Sequence, residues 1–319
     1  MSDPLVDPLA PPTLRGRAAS NADPAAASDA TPPPPGRDPL RLRGGALQRF
    51  SRQRLAELAE RLSQRDRQIV ATIAEFRLLR GDQIRRLFFS QISTEGARAR
   101  ICRRSLQMLV DAKLLHRLQR RIGGTRAGSS GWVYALAPAG RRLVAYWQGE
   151  GLPSNRGVHE PRLLFVSHTL AVAELYVCLV EEDRAGRLEL LSFEVEPTRI
   201  YVSALGRTVT LKPDALVQFA AGDEELLSFC EIDLGTEGRG ALLRKCRAYI
   251  DYYRTGREQA EQQTFPRVVW IAPTQARAAF IANLVAELPP LARHVFACTT
   301  KEAALAALTA DADVEGEWQ

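Results

Sequence analysis

The chain has 319 residues, 45% of them hydrophobic and 25% charged, an ordinary globular balance with room for two domains and a tail. Its net charge of +6 is unevenly spread: residues 1–160 carry 27 Lys and Arg against 14 Asp and Glu, a balance of +13, while the remainder carries 16 against 23, a balance of −7. A polyanion is therefore attracted to the first half and held off by most of the second, and the absence of any C-x-x-C spacing among Cys102, Cys178, Cys230, Cys246 and Cys298 argues against a zinc or disulfide framework.

Residues 1–45 are dominated by Pro, Ala, Asp and Gly, with Pro32 to Pro35 in a row. Such a segment buries too little apolar surface to offset its ordering entropy, so a disordered tail is expected. No apolar leader is visible, and no apolar run is expected to reach the ~18 residues that a spanning helix needs. These features point to a cytoplasmic protein without a membrane association.

From Ser51 the pattern turns helical. Ser63 to Leu79 carries Ile69, Val70, Ile73, Ala74 and Phe76 at helical spacing, and Gly81-Asp82 offers a stop and a new N-cap. A short helix with Ile84, Leu87, Phe88 and Phe89 follows, and Ser93-Thr94 starts a third helix reaching about Asp111. Leu114 to Gln119, a Gly-rich turn and Trp132 to Ala137 then read as a β-hairpin, with a further short helix over Gly140 to Trp147. Three helices and a hairpin within 51–147 is the winged-helix order. In the third helix the spacing predicts that Ala97, Ile101, Ser105, Met108 and Leu109 pack inward. Arg100, Arg103, Arg104 and Gln107 then share an outward stripe suited to phosphates and guanine edges. Arg117, Arg120, Arg121 and Arg126 in the hairpin would track the DNA backbone, and between Arg98 and Arg126 only Asp111 is acidic. A solvated charged face, or a winged helix used for protein contacts, is the competing interpretation.

Residues 148–160, rich in Gly with Pro153, Ser154 and Asn155, form the expected linker. The region 161–310 then alternates helix and strand: a helix over Leu163 to Glu181, strands near Leu188–Glu196, Val209–Phe219 and Leu226–Leu234, and a helix over Gly240 to Arg254. A strand at Val268–Ala272, a helix at Gln275–Glu287, a strand at His294–Thr299 and a terminal helix complete it, with 311–319 as a tail. That order favours a mixed α/β sheet covered by helices.

The candidate chemistry is Lys212-Pro213-Asp214 followed, after a hairpin, by Glu231-Ile232-Asp233. Residues two apart on a strand share a face, so Glu231 and Asp233 project together, with Asp214 on the neighbouring strand. Three carboxylates there form an oxygen-rich site suited to Mg²⁺ or Mn²⁺, and holding them without a cation would be costly. Lys245, on the next helix, is one of only four lysines, with Lys113, Lys212 and Lys301. His168 reads as a satisfied core histidine. Tyr249 lies four residues after Lys245, on the same side of the helix. A tyrosine nucleophile of the nicking-relaxase type is rejected, because such enzymes need a histidine pair and His116, His159, His168 and His294 are isolated.

The 163–272 region resembles the PD-(D/E)XK nuclease superfamily, whose core runs helix, three strands, helix, strand. Pro213-Asp214 and Glu231 match its signature, and Asp233 stands where the usual Lys would be. In some members the Lys has moved to the following helix, which is where Lys245 lies. The resemblance implies catalytic roles for Asp214, Glu231, Asp233 and Lys245, with Glu174 as an additional metal-associated acid. More narrowly, residues of about 60–310 resemble the replication-relaxation family. The carrying stretches are Asp66-Arg67, Leu87-Phe88-Phe89, the wing from Tyr134 to Gly140, Ser167 to Ala171, Lys212 to Asp214 and Glu231 to Glu237, with Lys245 and Tyr249. This resemblance implies a role in replication or relaxation of plasmid or mobile-element DNA, with double-stranded DNA and replication or mobilisation proteins as partners. Two functions stay open: a Mg²⁺-dependent endonuclease or nickase, and a non-catalytic DNA-binding accessory factor on a degenerate nuclease fold. A transcriptional repressor using the first domain alone is a weaker third.

Overall fold

Three hydroxyl side chains set the helix starts of the first half. Ser51, Ser63 and Thr94 accept hydrogen bonds from the backbone N–H of Arg54, Asp66 and Ala97, each satisfying a donor that the first helical turn leaves unpaired. The computed structural model describes residues 51–121, 131–153, 161–203 and 206–310, apart from the side chains of residues 119–121. The expected tails at 1–45 and 311–319, linker residues 154–160, Arg126, and the side chains of Arg120 and Arg121 lie outside the described residues.

The first half runs α1 (Arg52–Arg61), α2 (Gln64–Phe76), β1 (Leu78–Arg80), α3 (Gly81–Phe88), α4 (Glu95–Asp111), β2 (Leu115–Arg121), β3 (Trp132–Leu136) and α5 (Pro138–Trp147). Its antiparallel sheet has the order β1-β3-β2. The sequence pattern carries the helix of α2 on to Leu79, whereas the structure stops it at Phe76. Arg77 turns to a left-handed backbone (φ 66°) and Leu78–Arg80 pairs with Val133–Ala135. Three residues are too short to display strand alternation.

The packed face of α4 also differs from its expectation. Cys102, Leu106 and Leu109 are buried, while Ile101 and Met108 are 39% and 41% exposed. The helix carries two apolar stripes, and tertiary contacts choose between them. Cys102 lies against the Gly81 carbonyl, and Ser105 Oγ donates to the Asp66 carboxylate at 2.6 Å.

The second half runs α6 (Leu163–Arg184), β4 (Glu189–Val195), β5 (Arg199–Val202), β6 (Thr208–Leu211), β7 (Ala215–Ala221), β8 (Glu224–Ile232), α7 (Arg239–Tyr253), α8 (Arg257–Gln262), β9 (Arg267–Ala272), α9 (Gln275–Ala286), α10 (Ala292–Val295), β10 (Phe296–Thr300) and α11 (Ala304–Thr309). Five strands form a mixed sheet in the order β10-β9-β8-β7-β4, with β4, β7 and β8 antiparallel and β8, β9 and β10 parallel. The single strand expected over Val209–Phe219 is two strands. Pro213, which has no N–H for a ladder, separates β6, paired with β5, from β7 in the main sheet.

Alternation along β7 and β8 sends Val217, Phe219, Cys230 and Ile232 to the face covered by α6, and Leu216 and Phe229 to the face covered by α7 and α9. Contrary to the composition reading, α6 is long and apolar enough to cross a membrane, with a mean hydropathy of 2.0, yet over half of that window is buried inside the protein. It serves as the central core helix. Phe76 of α2, Tyr176 of α6 and Phe193 of β4 meet with ring centroids 5.1–5.8 Å apart, so both halves share one hydrophobic cluster.

At Gly140 in α5, a Cβ would lie 2.1 Å from the Leu114 carbonyl oxygen, a backbone atom that also accepts the Ala137 N–H. Gly140→Ala is expected to lower unfolding stability by about 1–3 kcal/mol, as overpacking against backbone does. Chemical denaturation measures this, and an unchanged midpoint contradicts the packing described.

Candidate functional site

Two surfaces carry the residues singled out in the sequence. The first is the outward arc of α4. Arg100, Arg103, Arg104 and Gln107 are all exposed, as their i, i+3, i+4, i+7 spacing requires. Gln107 Nε2 donates to Asp111 at 2.8 Å and Arg103 Nε to the Ala99 carbonyl at 3.3 Å. Among the described residues, Arg100 and Arg104 make no ion pair. On the adjoining hairpin, the Arg117 guanidinium lies 4.3 Å from the centre of the Trp132 ring. The Asp66–Ser105 hydrogen bond and the Ser63 cap fix the arc in orientation, since Ser63 Oγ also donates to Asp66.

The second is a cleft of about 450 Å³ at the end of the main sheet, lined by Phe165, His168, Asp214, Asp233, Lys245 and Trp270 among others. Asp214 precedes β7, and the register pairing Ala215 with Cys230 sets it opposite Glu231. Asp214 Oδ2 accepts from the Ile232 N–H at 2.7 Å and lies 3.1 Å from His168 Nε2. Glu231 lies beneath the cleft floor with no exposed surface. Lys245 Nζ donates to Glu231 Oε2 and Tyr249 Oη to Oε1, so the two α7 residues one turn apart clamp one carboxylate. The Lys245 ammonium also lies 5.5 Å from the centre of the Trp270 ring.

The electrostatics follow from burial and partners. Burial pushes the Glu231 carboxyl up to about 8, opposed by Lys245 and aided by Asp214. Burial works against the Lys245 ammonium, but Glu231 and Asp214 outweigh it and hold its pKa above the ordinary value. Burial likewise works to raise Asp214, and His168, Lys245 and the Ile232 N–H overcome it, so Asp214 titrates below the usual carboxylate range. The hydrogen bond to Asp214 lifts His168 above 6.5 despite its burial.

The expected three-acid metal site does not take shape. Asp233 shares the strand face with Glu231 but turns to Arg277 of α9, whose Nε and Nη2 donate to its two oxygens at 2.7 and 3.0 Å, with the Gly235 N–H at 3.0 Å. Glu174 lies elsewhere, in the α3–α6 interface, accepting from Arg80 Nη2 and Gln83 Nε2 at 2.9 Å each and from Arg86. Among the described residues no group of three or more His, Cys, Asp or Glu is placed to hold a metal ion. The set Asp214, Glu231, Asp233 and Glu174 therefore does not fit Mg²⁺ or Mn²⁺ as arranged. Lys245, His168 and Arg277 are the side chains that meet these acids in the structure.

His168 was expected in the core. It is instead about a third exposed at the cleft wall; the one available signal is the polar Ser-His-Thr step in the apolar first turns of that helix. Arg277 had no signal, being 44 residues from Asp233 on a separate helix. Tyr249 is buried against Glu231, in keeping with the same-side placement read from its spacing.

A family model described as replication-relaxation matches residues 70–268, a span that takes in α4, the hairpin and the cleft acids but not Arg277. No curated protein and no solved structure matches the chain.

A carboxyl whose folded-state pKa is raised above 4.5 loses stability for the fold as pH climbs from 4.5 towards the raised value. Lys245→Met removes the main group opposing that rise. Its destabilisation is expected to be small near pH 4.5, where Glu231 is already protonated in the fold, and to grow to about 3–5 kcal/mol in alkaline buffer above about pH 8, where a buried charge is left unpaired. Urea denaturation across pH reads this, and a loss independent of pH contradicts the pairing.

Proposed function

We propose that this chain, which belongs to the replication-relaxation family, binds double-stranded DNA and acts as a non-catalytic accessory factor in that process. Membership supports a role in replication or relaxation, and we take plasmid or mobile-element DNA as its setting. The observation that carries the DNA reading is the outward arc of α4, where Arg100, Arg103 and Arg104 face solvent and no acid pairs with Arg100 or Arg104 among the described residues. Guanidinium groups presented at helical spacing suit phosphates and guanine edges in a major groove. The helix, helix, helix, hairpin order supports a winged helix, with β2 and β3 as the wing beside the duplex.

The second half supports a nuclease-like origin. Its order of α6, β4, β7, β8, α7 and β9, interrupted by the β5–β6 hairpin, places Asp214 and Glu231 opposite each other and Lys245 on the helix between β8 and β9. Two features favour a scaffold over a cutting enzyme. Asp233 occupies the usual lysine position and is bound to Arg277, and Glu231 is sealed beneath Lys245 and Tyr249. The endonuclease reading retains one observation in its favour, namely that Asp214 and Lys245 line an open cleft. Replication or mobilisation proteins are the partners we expect the scaffold to meet, in the cytoplasm.

Fluorescence anisotropy with a labelled duplex at rising salt tests the binding claim. The logarithm of affinity should fall linearly with the logarithm of salt, and the Arg100→Ala, Arg103→Ala, Arg104→Ala variant should reduce that slope by about 0.9 for each phosphate contact removed. An unchanged slope removes α4 from the interface. In the same preparation, supercoiled plasmid with Mg²⁺ or Mn²⁺ should stay intact. Nicking that disappears in Asp214→Ala would overturn the accessory role in favour of the endonuclease.

A further inference from the structure

We propose that α4 reads A·T base pairs through thymine methyl groups, with Ile101 and Met108 as the specificity-determining contacts. This rests on the DNA-binding reading above and adds which bases the helix prefers. Ile101 and Met108 are among the exposed large hydrophobic side chains, at 39% and 41%. They are seven residues apart, so they lie on one side of the helix about 10 Å from each other along its axis. Arg104 follows them on the next row of the arc, with Arg100 and Gln107 further round. The apolar stripe is therefore one edge of the same outward arc that carries the guanidiniums.

Charge decides what covers it. A second copy docking through the same face would set Arg100, Arg103 and Arg104 against their own counterparts, because a two-fold contact pairs a patch with itself. A duplex satisfies both parts of the arc: its phosphates meet the guanidiniums, and the floor of its major groove offers apolar surface only at the C5-methyl of thymine. Ile101 and Met108 gain nothing from water where they stand, and in a major groove each recovers burial against such a methyl. Two contacts 10 Å apart span about three base steps at 3.4 Å per step.

The test compares two duplexes of the same alternating sequence, one built with dA and dT and one with dA and dU, which lacks only the methyl. Anisotropy at fixed salt should show wild type binding the uracil duplex about fourfold more weakly for each methyl contacted, the effect of one buried methyl-sized group. The double variant Ile101→Ala, Met108→Ala, whose changes lie on an exposed face, should bind both duplexes alike while keeping the wild-type salt slope and melting temperature. Equal wild-type affinity for the two duplexes overturns the proposal while leaving DNA binding standing. Failure to bind either duplex at low salt overturns the DNA reading itself. A wild-type dimer in sedimentation that becomes monomeric in the double variant assigns the stripe to a second copy and overturns the proposal.

Discussion

A carboxylate without access to water, Glu231 in the middle strand of the sheet, is the constraint around which the second half is arranged. An ionised group there carries a desolvation cost of several kcal/mol that only close partners offset. Lys245 and Tyr249 answer it from α7, one helical turn apart, and this clamp fixes how α7 lies across the sheet. Asp214, directly opposite on β7, adds a second negative charge, met by His168 from α6 and the Ile232 N–H. Asp233, two residues on, is met by Arg277 from α9. α6, α7 and α9 thus each bring one basic side chain to one acid.

The same helix α6 ties this cleft to the basic arc. His168 stands at the cleft wall, and Glu174, less than two turns later, accepts from Arg80, Gln83 and Arg86 around α3. Gln83 is fully buried and also donates to the Leu170 carbonyl of α6, so α3 has a specified position on that helix. The Phe76, Tyr176 and Phe193 rings close the contact behind it. α4 packs on α3 and is oriented by Asp66 through Ser105. Among the described residues α4 is therefore held in fixed relation to the cleft through packed side chains.

Long periodic elements were legible in the sequence because burial on one face imposes their period. α2, α4, α6, α7, α9 and the strands β4, β8 and β9 lie close to where alternation and caps put them. β1 escaped notice because three residues show no period, and β5 because its partner β6 was merged with β7 across Pro213. On α4 the positions of the arginines were right and the apolar face was one residue out of phase. Two apolar stripes on one helix cannot be ranked without knowing which neighbour each would meet. In the cleft, local spacing placed Asp214 opposite Glu231 and brought Lys245 near them. The partners that decide the chemistry, His168 and Arg277, arrive from helices 46 and 44 residues away in sequence from Asp214 and Asp233, and no local pattern announces them.

Calorimetric titration of the full chain with Mn²⁺ addresses the charge balance most directly. If Lys245, His168 and Arg277 already neutralise the three acids, the heats should match those of Asp214→Ala, with no stoichiometric binding that depends on that carboxylate. Binding of one ion per chain in the wild type, abolished by Asp214→Ala while the variant keeps its melting temperature, would contradict the account and restore the cleft as a metal centre.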